Sequence, residues 1–399
     1  MNTPLSALTR SFRWQTRRKV AFLFLLAFLT GWLGIYALHA GEPGWKTALP
    51  GWVYEFPRDH WAHPGFKTEW WYFTGRLETA EGREFGFEIT FFRQGVRPPG
   101  SEPGKSRFAV DAFSFAHYAL TDVAGKRFLF EQNASRGAFG EAGVNAWDPG
   151  RRAGRIAWQE GAALHLDEAG AFQVSVPLDA FALNLRFTPR KPPVINGKNG
   201  VSQKAEGAGR ASHYYSMTRL AAEGTVTLEG ETFKVAGEAW CDREWATNQL
   251  ASHQLGWNWL SLQWDDGSEL MLYQMRTRDG GTDPHSSGTA IAPDGTARHL
   301  EVGDYQMTPL DHWKSPRTGG NYPVHWKMSV PSEGLEFEIT TPLRDQELTI
   351  QPISYWEGLV HARGTRRGKP VRGHGYLEMT GYTGPLKGLT DHPEGAVRH

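Results

Sequence analysis

Alternation of apolar and polar residues with a period of two is the feature of this sequence that most restricts its fold. In the segments 84–91, 324–330 and 335–340, large apolar residues occupy every second position. Such alternation predicts strands with one apolar face, and Glu-Gly and Asp-Gly turn signals separate these segments at short spacing. No long segment after residue 45 has a convincing helical periodicity. The sequence therefore predicts an all-β chain of antiparallel strands.

A faint internal repeat indicates two similar β domains. Aromatic hairpins that begin at Trp70 and Trp257, 187 residues apart, each run through a glycine turn and end in an arginine. We expect an N-terminal domain over residues 52–247 and a C-terminal domain over residues 248–386. The main irregular stretch, residues 189–212, is either an interdomain linker or a functional loop.

The first forty residues have the composition of an export signal. They carry five basic and no acidic residues, and residues 20–38 form an uncharged run about long enough to span a bilayer. This segment is either a cleaved signal peptide or a membrane anchor. We therefore expect a periplasmic protein, or one anchored in the inner membrane through residues 20–38 and facing the periplasm.

Charge and cysteine content exclude several function classes. The chain has 43 basic and 43 acidic residues, which argues against a nucleic-acid partner because such proteins usually carry a basic excess. Its one cysteine, Cys241, excludes an intrachain disulfide framework and a cysteine-rich metal site. We expect no metal site and no cofactor.

Several motifs resemble the carotenoid 1,2-hydratase/AttH-like family. They are His63-Pro-Gly-Phe-Lys-Thr-Glu-Trp-Trp-Tyr-Phe-Thr-Gly75, Gly237-Glu-Ala-Trp-Cys-Asp-Arg-Glu-Trp245, Tyr355-Trp-Glu-Gly358 and Gly375-Tyr-Leu-Glu-Met-Thr-Gly-Tyr382. The resemblance runs from about residue 52 to 385. It implies two lipocalin-like β-barrels that hold a long apolar ligand, a lipid or a polyene, between or within them. It also implies an association with ABC-transporter components, or, as the alternative, a hydro-lyase that adds water to a polyene.

Asp242 and Glu244 are the candidate acid–base pair. They lie two residues apart in a predicted strand, so both carboxyl groups face one side and Arg243 faces the other. A carboxyl group in an apolar pocket stays protonated near neutral pH and can protonate an alkene, whose cation aromatic faces would stabilise. The same residues could instead form a structural ion-pair cluster.

The motifs also supply candidate binding residues. Tyr273 joins Asp242 and Glu244 as a catalytic candidate, with the aromatic residues Trp245, Trp257 and Trp259 expected to line the same pocket. The remaining ligand-binding candidates are Glu69, Trp70, Tyr72, Tyr215, Trp240, Arg243 and Trp356. The chain departs from the hydratases at Arg243, where they are expected to carry a histidine, and at Met275, where they are expected to carry an aspartate. The departures favour the AttH-like branch because neither residue transfers protons.

Overall fold

The computed structural model describes residues 42–102, 109–350 and 354–384. The predicted export segment, residues 1–40, lies outside these ranges. Among the residues described, no helix combines the length and the apolar character needed to cross a bilayer. Short 3-10 helices occur at Arg58–His60, Ala138–Gly140 and Pro331–Glu333. Nearly all the remaining regular structure is antiparallel β-strand, which confirms the predicted fold class.

The first sheet holds all strands up to residue 246. In chain order they are β1 (Thr68–Glu78), β2 (Glu84–Gly95), β3 (Ala112–Asp122), β4 (Arg127–Ser135), β5 (Ala142–Val144), β6 (Gly154–Gln159), β7 (Ala162–Leu166), β8 (Phe172–Pro177), β9 (Phe181–Pro189), β10 (Val194–Ile195), β11 (Ser202–Gln203), β12 (Ala211–Leu228) and β13 (Glu231–Ala246). The spatial order is β4-β3-β2-β1-β13-β12-β9-β8-β7-β6-β5, with β10 and β11 on β12. The sheet curls until β4 contacts β6, which makes it barrel-like.

The second sheet holds the later strands. They are β14 (Gln254–Trp264), β15 (Glu269–Thr277), β16 (Ser287–Ile291), β17 (Ala297–Glu301), β18 (Gln306–Lys314), β19 (Asn321–Val330), β20 (Leu335–Thr340), β21 (Glu347–Leu348), β22 (Tyr355–Arg366) and β23 (Lys369–Met379). Their order is β17-β16-β15-β14-β23-β22-β20-β19-β18, with β21 on β22. The two aromatic hairpins of the sequence are β1–β2 and β14–β15, and each pairs with the last strand of its own sheet.

Aromatic side chains fill the interior of each barrel. In the first, the ring of Phe187 lies 5.1 Å from that of Phe73 and 5.7 Å from that of Phe87. In the second, the rings of Trp264 and Phe337 meet edge to face at 5.1 Å. Because these interiors are close-packed, their rings cannot move apart to admit a ligand without a large energetic cost. A ligand site is therefore expected in the space between the sheets.

The segment 189–212 is not a linker between the barrels. The strands β12 and β13 follow it and belong to the first sheet, so the chain crosses to the second sheet only after residue 246. Both sheets lie in one compact unit, which begins at Gly44. The division at residues 247/248 stays a prediction. The segment instead reaches across to the second sheet, where the Nζ atom of Lys191 lies 2.8 Å from Oε2 of Glu269.

Candidate functional site

The strand β13 presents alternate side chains to the first barrel and to the second sheet. Asp242 and Glu244 face the second sheet, whereas Arg243 points into the first barrel, as the strand parity predicts. The exposed fractions of Asp242 and Glu244 are only 4% and 6%. Both carboxyl groups therefore lie in the interface between the two sheets.

Asp242 is held by three hydrogen-bond donors. The hydroxyl of Ser216 and the indole N–H of Trp240 each donate to Oδ1 at 2.6 Å, and the Tyr214 hydroxyl donates to Oδ2 at 2.5 Å. The indole N–H of Trp259, from the second sheet, in turn donates to the Tyr214 oxygen at 3.2 Å. The Asp242 site, by which we mean these five residues, is thus built from both sheets.

Burial dominates the electrostatics of Asp242. Its desolvation raises the pKa, the donors Ser216, Tyr214 and Trp240 lower it, and the charge of Glu244 raises it again, so that the pKa reaches about 7. At neutral pH the group is therefore divided between its acid and its carboxylate form. A carboxyl group in this state can both donate and accept a proton.

Lys204 compensates the charge of Glu244. Its Nζ atom lies 3.3 Å from Oε1 of Glu244, and 4.1 Å and 5.0 Å from the ring centroids of Tyr273 and Tyr214. Burial lowers the pKa of Lys204, but the charges of Glu244, Tyr273 and Asp242 raise it by more, so the net shift is upward. The ammonium group stays charged and balances one of the two neighbouring carboxyl groups.

Three further glutamates share the same interface. Glu88 on β2, Glu357 on β22 and Glu378 on β23 form what we call the glutamate cluster. The hydroxyl of Tyr72 donates to Glu357, and the hydroxyl of Thr90 donates to Glu88.

The pKa values of all three members of the glutamate cluster are raised. Burial and the mutual repulsion of the three carboxylates raise the pKa of Glu88 and of Glu357 well above the usual range. Burial, offset by a hydrogen bond from Trp257, and the charges of Asp242 and Glu244 raise the pKa of Glu378 to about 7. In the described ranges, no three His, Cys, Asp or Glu side chains are arranged to hold a metal ion.

One end of the interface carries partly exposed side chains. Trp70, Trp257 and Glu378 are partly exposed there, whereas Asp242 behind them is buried. Trp70 lies opposite Phe92 across the β1–β2 pair, and Phe92 stacks on Phe115 at 4.5 Å. A row of half-buried aromatic side chains therefore borders this end.

Four of the predicted binding residues lie on the other face of the first sheet, away from Asp242. Arg243 pairs with Glu69, which also pairs with Arg93, and the guanidinium carbon of Arg243 lies 3.9 Å from the Trp71 ring centroid. Trp245 stacks on His63 at 3.8 Å, and the Tyr215 hydroxyl is 2.6 Å from Nδ1 of His60. The expectation that Trp245 lines one pocket with Asp242 is wrong, since odd and even positions of β13 face opposite sides.

The remaining predicted residues divide between the interface and the second barrel. The interface brings together Trp70, Tyr72, Trp240, Trp257, Trp259 and Tyr273 with Asp242 and Glu244. Trp356 instead belongs to the core of the second barrel. Lys204, Tyr214 and the glutamate cluster were not among the site residues predicted from the sequence. Glu357 and Glu378 lie within two of the family motifs, where a glutamate next to a large apolar residue in a strand was the available signal.

The two barrel-like antiparallel sheets and the site between them define a two-barrel, lipocalin-like protein. The chain belongs to the AttH-like family, whose model matches residues 47–382.

Solved structures agree with this assignment. A protein described as AttH from Nitrosomonas europaea is 34% identical, with 84% of this chain and 99% of that chain covered and a TM-score of 0.74. Kievitone hydratase from Nectria haematococca is 15% identical, with 86% and 98% covered and a TM-score of 0.63. CghA is 12% identical, with 84% and 95% covered and a TM-score of 0.53. The last two show the fold alone. No protein of curated function matches this chain significantly.

Proposed function

We propose that the protein binds an apolar, unsaturated small molecule between its sheets and protonates it from Asp242. The observation that carries this proposal is a carboxyl group that is buried among aromatic side chains and accepts hydrogen bonds from three neutral donors, and its burial raises the pKa to about 7. A structural ion pair would instead have a cation bonded to Asp242, yet its three hydrogen-bond partners are neutral donors, and the neighbouring Lys204 lies against Glu244. A buried carboxyl group with a strongly shifted pKa is typical of a catalytic acid.

The reaction that fits these groups is the addition of water to a carbon–carbon double bond. Asp242 would transfer its proton to one alkene carbon, which leaves a carbocation and a carboxylate. Water would then attack the cation, and the Asp242 carboxylate, or Glu378 on the opposite sheet, would take up the proton that water loses. The product is an alcohol, and no cofactor is consumed.

Aromatic side chains around the Asp242 site would stabilise the cation. The ring of Trp259 lies 5.3 Å from that of Tyr72 and 6.4 Å from that of Trp240, both edge to face. A cation against the face of such a ring gains up to about 2 kcal/mol when water is excluded. The ligand would reach the Asp242 site past Trp70 and Trp257, which are partly exposed at one end of the interface.

The test is hydration of an acyclic polyene by wild-type protein and by Asp242→Asn. We expect protein incubated with micellar lycopene in heavy-oxygen water to form a labelled alcohol, detected by mass spectrometry. The substitution keeps the size of the side chain and removes the acid, so product formation should fall at least about 100-fold. Asp179→Asn, at an exposed turn, is the matched control and should leave it unchanged. A fully active Asp242→Asn variant would contradict the proposal.

A carrier without chemistry is the second candidate. The half-buried aromatic row of Trp70, Phe92 and Phe115 favours it, because such a surface can receive a lipid or polyene tail. We propose for this case that the protein works in the cell envelope beside ABC-transporter components. Organic extraction of protein purified from its own membrane fraction tests the idea. A stoichiometric apolar ligand that wild-type protein never converts would support the carrier; an empty protein would contradict it.

A further inference from the structure

A cleft opens at the other end of the same interface. Its volume is about 480 Å³, and both sheets contribute to its walls. Arg76 on β1, one of its lining residues, lies four residues from Tyr72, or roughly 13 Å along the strand. The basic cleft, as we call it, is lined by Arg76, Arg219, His361, Arg363, Arg372 and His374.

The β22–β23 hairpin concentrates positive charge beside the basic cleft. Residues 358–377 contain five basic and no acidic side chains, although the whole chain has equal numbers of both. His361 and His374 lie directly opposite one another across the strand pair, and so do Arg363 and Arg372. All four line the cleft. Burial lowers the pKa of His374 to about 4, and the permanent positive charges on this wall are those of Arg363 and Arg372, which can act on one ligand.

The inner cations of the cleft already have partners. Glu84 pairs with Arg76 and accepts from His361, and Nη1 of Arg219 lies 2.5 Å from Oε1 of Glu238. These pairs are part of the contact between the sheets and leave little charge for a ligand. The third lining carboxylate, Asp265, is exposed and accepts a hydrogen bond from a backbone N–H of β23 at 3.1 Å.

Arg363 and Arg372 differ from these inner cations. Both side chains are exposed at the mouth of the cleft, and neither forms an ion pair with a described residue. Like charges directly opposite one another in a strand pair destabilise the sheet. Glu338 lies opposite Arg363 on the other side, in β20, but it pairs with His325. An anion shared by the two guanidinium groups would therefore relieve their repulsion and would accept the parallel N–H donors of each.

We propose that the basic cleft binds the phosphate group of a ligand through Arg363 and Arg372. Phosphate offers enough oxygens for two arginine forks at once, and the cleft is large enough for a small molecule that carries it. The site goes beyond the proposed function and does not depend on it. Its ligand is either a soluble phosphate compound or the headgroup of a phospholipid.

Calorimetric titration of the full-length protein with two probes tests the proposal. Pyrophosphate represents a soluble phosphate compound, and dihexanoyl phosphatidic acid, kept below its micellar concentration, represents a headgroup. The double variant R363Q/R372Q removes the exposed pair. The control R367Q/K369Q removes the same charge from the turn of the same hairpin, outside the residues that line the cleft. We expect saturable binding to wild type, at least tenfold weaker binding to R363Q/R372Q, and a change below twofold in the control.

The outcomes separate the alternatives. Binding of pyrophosphate that follows this pattern assigns the site to soluble phosphate compounds, and binding of the lipid alone assigns it to a headgroup. Absence of saturable binding of either probe to wild type refutes the site. An equal loss in the two variants also refutes it, because general electrostatic attraction would then explain the binding.

Discussion

Replacing Asp242 by asparagine should change how the stability of the protein depends on pH. Burial holds the pKa of Asp242 at about 7 in the folded chain, against 3.8 for the free side chain. In the unfolded chain the carboxyl group ionises above pH 4, whereas in the folded chain it keeps its proton up to about pH 7. The unfolded state therefore binds fewer protons in this window, and stability falls as pH rises through it.

The magnitude follows from the width of that window. Each pH unit between the two pKa values costs about 1.4 kcal/mol, and the cost falls to half as the folded pKa is reached. Raising the pH from 5 to 7 should therefore lower the free energy of unfolding by about 2 kcal/mol through Asp242 alone. Asparagine does not titrate. The free energy of unfolding of Asp242→Asn relative to wild type should therefore rise by about 2 kcal/mol over the same interval.

Urea denaturation followed by tryptophan fluorescence at pH 5, 6, 7 and 8 measures this difference. Subtracting the two proteins at each pH cancels the titration of the other buried groups, apart from their coupling to Asp242. Asp179 is exposed, so the free energy of unfolding of Asp179→Asn should depend on pH in the same way as that of wild type. A difference between Asp242→Asn and wild type that stays constant, or that falls with rising pH, would refute the reasoning, because Asp242 would then be an ordinary ionised carboxylate.

Three further substitutions test the surroundings of the site. Arg243→Met leaves the buried carboxylate of Glu69 with one of its two arginines, and should lower the free energy of unfolding in urea by about 3 kcal/mol. Tyr72→Phe removes the hydroxyl that donates to Glu357 across the interface, and should cost about 1–2 kcal/mol in the same assay. Gly375→Ala places a Cβ atom against the carbonyl oxygen of Ser261 on β14, well inside van der Waals contact, and should cost on the order of 3 kcal/mol or prevent soluble expression.

Each of these has a matched comparison. Arg243→Met should cost less in a Glu69→Gln background than in wild type, because the carboxylate charge that Arg243 balances is then absent. Gly303→Ala should be nearly neutral, since nothing lies within 4 Å of its added Cβ atom. A Tyr72→Phe variant as stable as wild type would show that the hydroxyl contributes nothing to the interface. An Arg243→Met variant as stable as wild type would contradict a stabilising role of the buried ion pair.

The sequence by itself determined the strands, the face of each side chain and the family. Period-two alternation defines strands locally, because successive side chains of an extended chain must point to opposite sides. This was sufficient to place Asp242 and Glu244 together and Arg243 opposite them. The aromatic hairpins and the motifs around Trp70 and Trp240 were equally readable, since both depend on neighbours in the chain.

Only the tertiary structure decided which faces meet. Alternation says that Glu88 lies opposite the apolar face of β2, but a polar face normally points to water, and the packing of the second sheet buries it. The same packing brings Glu357 beside Tyr72, 285 residues earlier in the chain. The raised pKa of Asp242 has the same origin, because desolvation requires the second sheet to exclude water from a group that the first sheet alone would leave exposed.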